Sequence, residues 1–223
     1  MTDAVRKSPE PAAPYALAIF DLDGTLADSF PWFRRVFNDV ADRYGFRRVA
    51  EHEVEALRGK SPRELLAHLD VPVWKLPMIA AHMRRLKGRH LDGILLFPGA
   101  REMLQGLAGA GVRLALVSSD HEANVRRQLG SDIATLFAHY ACGASLFGKA
   151  AKFRQVLKRS GVAPARTIAI GDELRDIEAA RAAGIACGAV TWGYSEPAAL
   201  CAQRPDYVFE TMAEIVVQLG RTD

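Results

Sequence analysis

Two carboxylates one residue apart, Asp21 and Asp23, follow the apolar run Leu17-Ala18-Ile19-Phe20 and precede Gly24-Thr25. The apolar run reads as a buried strand, so both acids fall at its carboxyl end. Desolvating a charge there without a partner costs several kcal/mol, so a pair of acids implies a compensating cation. In an extended segment the two side chains point to the same side of the chain. Gly24 lets the backbone turn away at once and approach a ligand closely. The residues alone therefore point to a metal-binding acid pair at a strand end, with a strand ending in a plain polar turn as the competing reading.

Three more polar clusters occupy equivalent places. Ser118-Ser119 follows the apolar stretch Val112 to Val117, Asp172 follows the strand expected over Thr167 to Ile170, and Gly148-Lys149 opens a helix running to Ser160. The spacing between them alternates strands with helices: helices over 100–109, 121–129, 150–160 and 174–183, a weak strand at 139–142, and a further strand over 185–191. A tail adds a helix at 197–203, a short strand at 207–209 and a helix at 212–219. Alternation of this kind predicts an α/β fold, a Rossmann-like parallel sheet covered on both faces. Ligands bind beyond the carboxyl ends of the strands in such sheets, where all four clusters fall.

Between the first strand and residue 96 no convincing strand occurs. Ser29 is placed to cap a helix running to about Tyr44 and ended by Gly45, with helices over 51–58, 62–69 and 78–87 to follow. The chain thus divides into a mobile N-terminal tail (1–14), an α/β core (15–28 and 96–223) and an all-helical insert (29–95). Arg58-Gly59-Lys60-Ser61, joining two insert helices, is a candidate substrate-facing loop; an ordinary charged turn is the alternative. The basic runs at 34–35, 47–48 and 84–87 read as solvated faces without a partner.

At 223 residues, with 49% hydrophobic and 25% charged residues, the chain has the composition of an ordinary soluble globular protein. A net charge of +3 is too mild to argue for nucleic acid, so none is expected as a partner, and it suits a small anionic substrate. Cys142, Cys187 and Cys201 lack metal-site or disulfide spacing, which points to a reducing compartment. No membrane span or signal-peptide core is present in the sequence, so a cytoplasmic location is expected.

The stretch AIFDLDGTLADS resembles the haloacid dehalogenase-like phosphohydrolases, whose first motif reads DxDGT. The resemblance implies that Asp21 is a nucleophile and that Asp23 is an acid/base whose backbone carbonyl also faces Mg²⁺. Ser118 matches the second motif, a hydroxyl that holds the phosphoryl group with Ser119 beside it. Capping of the next helix suits Ser119 or Asp120 better than Ser118. Lys149 matches the third motif and GDELRD (171–176) the fourth, in which Asp172 ligates Mg²⁺ and Asp176 orients a metal-bound water or the loop. Lys152 is a rival to Lys149, but lies about 4.5 Å farther along the helix at roughly 1.5 Å per residue. The insert resembles the helical cap shared by phosphoglycolate phosphatases and β-phosphoglucomutases.

The implied activity is Mg²⁺-dependent hydrolysis of a small phosphorylated metabolite, phosphoglycolate-like, through an aspartyl-phosphate. Asp23 argues against dehalogenation, since family members with that chemistry lack the second acid. A phosphonate-cleaving imine mechanism would need a lysine from the insert, for which Lys60 is available. A phosphoglucomutase, or a non-catalytic binding protein on the same fold, are the remaining alternatives.

Overall fold

The structure is a computed structural model that describes residues 14–220. The tail expected over 1–14 lies, apart from Pro14, outside the described residues. Six strands form one sheet in the order β3-β2-β1-β4-β5-β6, and every pairing is parallel. They are β1 (Leu17–Phe20), β2 (Arg113–Val117), β3 (Phe137–Ala141), β4 (Thr167–Gly171), β5 (Ala186–Val190) and β6 (Tyr207–Phe209). The helices are α1 (Phe30–Tyr44), α2 (Val54–Arg58), α3 (Pro62–His68), α4 (Leu76–Arg89), α5 (Ala100–Gly109), α6 (Glu122–Ala134), α7 (Lys149–Ser160), α8 (Leu174–Ala183), α9 (Pro197–Ala202) and α10 (Met212–Leu219).

The period-two alternation of the strands sorts their side chains into two cores. Ala18 and Phe20 of β1 join Leu114, Leu116, Ile168 and Ile170 on one face, covered by α5, α6 and α10. Leu17 and Ile19 point to the other face with Ala115, Val117 and Ala169, covered by α7, α8 and α9. Both faces are therefore buried, which is why these strands read as continuous apolar runs. β1 is central, paired in register to β2 (Ile19 opposite Ala115) and to β4 (Ile19 opposite Ala169).

Between Phe30 and Gly93 every element is a helix, with short 3₁₀ turns before α2, α4 and the return to the core, and irregular connections such as 46–50 between them. The two connections meet where Ala27 and Leu96 bridge and Phe97 N–H donates to Leu26 O. Three local expectations are corrected. Ser29 precedes α1 but its side chain makes no cap, because its hydroxyl is used on Tyr194 instead. Helix α4 begins at Leu76, ahead of the expected start, because Pro77 sits in the first turn where its missing N–H breaks no helical bond. Helix α6 continues to Ala134 beyond Leu129, kinking at Gly130, whose φ of 78° and ψ of 161° are non-helical.

Candidate active site

The chain leaves the C-terminal end of β1 in a tight turn in which Leu22 O accepts the N–H groups of Thr25, Leu26 and Ala27. Gly24 makes this turn possible: its φ is +79°, and a Cβ there would lie 2.1 Å from Asp172 Oδ2. Asp21 is held by its own N–H, donated to Ile170 O of β4, and by its Oδ1, which accepts Leu22 N–H at 2.8 Å. From β4 the chain presents Asp172 beside it, and the first turn of α8 presents Asp176. One oxygen from each of Asp21, Asp172 and Asp176 lies within 4.8 Å of the others, and all three residues are buried. Gly171 clears the space for Asp176, whose Oδ2 a Cβ at that position would meet at 2.3 Å.

Lys149, the first residue of α7, is buried between two of these acids. Its Nζ is 2.7 Å from Asp21 Oδ2 and donates to Asp176 Oδ1. Lys152, one turn further on, is half-exposed and has no ion pair with the site acids. Burial opposes the Lys149 charge, but Asp176 and Asp21 outweigh it and hold its pKa above the ordinary lysine value. Burial pushes the Asp21 carboxyl up to about 6, opposed by Lys149 and reinforced by Asp176. Asp172 is pushed well above the carboxylate range by burial, then by Glu173 and Asp21. Three buried acids, with Lys149 bonded to two of them and Arg175 paired with Glu173 beside them, have the oxygen donors and the charge deficit that a hard divalent cation satisfies.

Asp172 is gripped on every side. Thr25 Oγ1 donates to its Oδ1 at 2.6 Å and Tyr194 N–H donates to its Oδ2 at 2.7 Å. Gly193 passes over it so closely that a Cβ would stand 2.2 Å from Asp172 Cβ. Trp192 Nε1 donates to Thr25 O at 3.0 Å, tying the same turn to the loop after β1.

The Asp23 carboxylate turns away from the three acids. Both its oxygens accept from Lys87 Nζ, at 2.6 and 2.8 Å, and the same ammonium is 3.1 Å from Asp120 Oδ2. Lys87 belongs to α4 and is only 4% exposed, so the reading of 84–87 as a solvated face is corrected at this residue. The run is amphipathic: Lys87 lies four residues after the half-buried Met83 on the inward face, and two carboxylates there compensate its charge. That periodicity was the only sequence signal for it, since neither acid partner is local. Burial lowers the Lys87 pKa, but Asp23 and Asp120 more than offset this and raise it.

Ser118 is buried at the end of β2, with Oγ accepting Asp120 N–H at 3.0 Å, and Ser119 lines the cavity above. Asp120 Oδ1 takes the N–H of His121 and Asn124 Nδ2, at 2.7 and 2.8 Å. That cavity, about 790 Å³, runs between the insert helices and the C-terminal edge of the sheet. Asp23, Lys87, Ser119 and Asp120 line its polar end; Phe30, Phe33, Phe37, Leu57 and Leu65 line its apolar wall, with Lys60 at the candidate loop. Arg58 of that loop is committed to the core: Nε donates to Tyr194 O and Nη2 to Gly193 O, both at 2.9 Å.

The contacts of Lys87, Asp120, Arg58 and Tyr194 escaped the sequence reading, although Arg58 was named within the candidate loop at 58–61. Lys87 pairs with Asp23 and Asp120, 64 and 33 positions away, Arg58 reaches Tyr194 136 positions away, and Tyr194 reaches Asp172 22 positions away; for Asp120 the proximity to Ser118 was the only hint. Cys142, Cys187 and Cys201 are unpaired. Among the described residues no helix is long and apolar enough to cross a membrane.

Comparison with known proteins places this geometry among relatives. The chain is 32% identical over 207 residues to a phosphoglycolate phosphatase of Synechococcus elongatus, covering 91% of this chain and 98% of that protein. It is 28% identical over 214 residues to a phosphoglycolate phosphatase of Pseudomonas savastanoi pv. phaseolicola, covering 90% and 78%. A haloacid dehalogenase-like family hydrolase from Streptococcus pneumoniae shares the fold at a TM-score of 0.75, with 24% identity over 92% of this chain and 98% of that one. The family described as haloacid dehalogenase-like hydrolase matches residues 18–190. With this match and the Synechococcus relative spanning the strand-end acids, the chain belongs to the haloacid dehalogenase-like hydrolase family.

Proposed function

We propose that this protein is a Mg²⁺-dependent phosphatase acting on a small phosphorylated metabolite of the phosphoglycolate kind. The observation that carries the reading is the buried group of Asp21, Asp172 and Asp176, with Lys149 Nζ 2.7 Å from Asp21, at the carboxyl ends of the strands. The curated relatives named above support the substrate class.

Asp21, Asp172 and the Asp23 backbone carbonyl would hold the cation, with Asp176 beside them. When bound, Mg²⁺ supplies positive charge that lets a phosphate dianion approach three carboxylates. Asp21 attacks phosphorus in line, forming a P–O bond to its carboxylate while the ester P–O bond breaks, so one hard displacement becomes two easier ones. Asp23, protonated and released from Lys87, gives a proton to the departing alkoxide. In the second step it takes one from the water that releases inorganic phosphate. Lys149 and Ser118 bind the phosphoryl oxygens, Ser119 lies beside them, and Lys149 orients Asp21. Residues 29–95 form a cap over the core and shield the reaction from water.

The test is phosphate release from 2-phosphoglycolate by the purified protein with Mg²⁺ and with EDTA, alongside trapping of an acid-stable phosphoenzyme. Metal-dependent release and a label lost in Asp21→Asn are expected. Turnover unaffected by EDTA or by Asp21→Asn refutes the mechanism. Transfer of the label to a sugar phosphate faster than to water would identify a mutase instead.

A further inference from the structure

We propose that Arg58 is a positioning residue for the metal site: by fixing the turn at Gly193-Tyr194 it fixes the Tyr194 N–H that orients Asp172. The proposal rests on the reading of Asp172 as a metal ligand.

Arg58 ends α2, in the helical insert, yet its guanidinium bonds to two consecutive carbonyls of the core turn after β5, Gly193 O and Tyr194 O. Tyr194 N–H in turn donates to Asp172 Oδ2 at 2.7 Å. The path from insert to carboxylate is therefore one guanidinium, one peptide turn and one hydrogen bond. Residues 191–195 form no helix or strand, and the glycine inside adds freedom. Gly193 is nevertheless required, because a Cβ would collide with Asp172. A turn that must be flexible in sequence and fixed in position needs an external clamp. Arg58 suits this, since its planar fork spans two acceptors at little entropic cost per bond.

The clamp is reinforced from the insert. The Tyr194 hydroxyl is 3.0 Å from Ser29 Oγ, and its ring meets Phe30 and Phe33 edge-on at centroid distances of 4.9 and 5.6 Å. Arg58 itself lies over the Phe30 ring at 5.3 Å and keeps a third bond, Nη1 to Glu55 Oε2, within its own helix. That third bond supplies an internal control, because it touches neither the turn nor Asp172.

Outer contacts that orient a ligand typically change metal affinity 10- to 100-fold when removed. In Mg²⁺ titration calorimetry on the full chain, Arg58→Ala should weaken binding about tenfold. Arg58→Lys, which can reach one carbonyl, should recover part of the loss, and Glu55→Ala should stay within about twofold of the parent protein. The kcat of Arg58→Ala should be regained at high Mg²⁺. If Arg58→Ala does not fold, Arg58→Lys and Arg58→Gln carry the same comparison. A folded Arg58 variant with unchanged Mg²⁺ affinity, losing only thermal stability or KM, makes Arg58 a mere staple between insert and core and overturns the proposal. Asp172→Asn separates the two levels. Lost Mg²⁺ binding there with intact binding in Arg58→Ala overturns this inference alone, whereas retained binding in Asp172→Asn overturns the metal assignment beneath it.

Discussion

Replacing Lys87 by Met keeps the length and apolar stem of the side chain and deletes the one cation between Asp23 and Asp120. Two costs follow. Asp120, 2% exposed in its side chain, keeps donors on Oδ1 but loses the ammonium 3.1 Å from Oδ2. Asp23, 23% exposed and facing the cavity, loses both its contacts but can be rehydrated. Breaking a buried ion pair costs about 3–5 kcal/mol; discounting the share of Asp23 that water recovers leaves about 2–4 kcal/mol. For a chain of this size each kcal/mol moves the melting temperature by about 2–4 °C, so a fall of about 4–16 °C is expected. Calorimetric melting of Lys87→Met, Asp120→Asn and the double variant is the assay. The double variant should be more stable than the sum of the single losses predicts, since Asn needs no cation. Because the pair is buried, the loss should persist in high salt. A Lys87→Met protein melting within about 1 °C of the parent would refute the argument, and with it the view that this lysine is in the site for its charge.

Three further outcomes are expected. Asp21→Asn should abolish turnover and the phosphoenzyme, whereas Asp23→Asn should turn over slowly yet still label with an ester whose leaving group needs no proton; rapid-quench labelling distinguishes them. Lys149→Ala should lower kcat by about 10²-fold or more, as for lost oxyanion donors, and Lys152→Ala by less than about tenfold; the reverse ranking in steady-state kinetics would move the role to Lys152. With its carboxyl at about 6, Asp21 is protonated in the metal-free protein below that pH, so protons should compete with Mg²⁺ and calorimetric Mg²⁺ affinity should fall on the acid side. The stability sign is opposite: a raised carboxyl binds its proton more tightly folded than unfolded, so its contribution grows as pH falls from about 6 towards 4. Melting in EDTA should therefore show a smaller acid loss in the parent than in Asp21→Asn.

How much of this was legible in the sequence follows from the range of the interactions involved. The strands could be read because burial on both faces writes them as unbroken apolar runs, and Asp21, Lys149 and Asp172 because polar residues at the ends of such runs are unusual. Lys149 over Lys152 could be argued from helix geometry together with the preceding Gly148. The strand order could not, since nothing local in β1 says that it lies between β2 and β4. Lys87 read as surface because a lysine's burial is decided by acids 64 and 33 residues away. Ser29 fits a cap locally, and only Tyr194, far along the chain, diverts its hydroxyl. Arg58 and Tyr194 carry no chemical motif; their importance comes from the turn that they share.

The central place of β1 has a consequence for how the molecule is made. Its four residues are fully buried between β2 and β4, yet they are synthesised first, and Thr167 of β4 follows Phe20 by 147 residues. At ribosomal rates of about 5–20 residues per second, the strand waits roughly 7–30 s for its second neighbour. During that interval an apolar Leu-Ala-Ile-Phe segment with an open edge is a template for misassociation, and few residues nearby oppose it. Asp21 and Asp23 do. Charges flanking a hydrophobic segment disfavour stacking of like chains, so the acids proposed as the reaction centre also serve, before any site exists, as gatekeepers of the nascent strand.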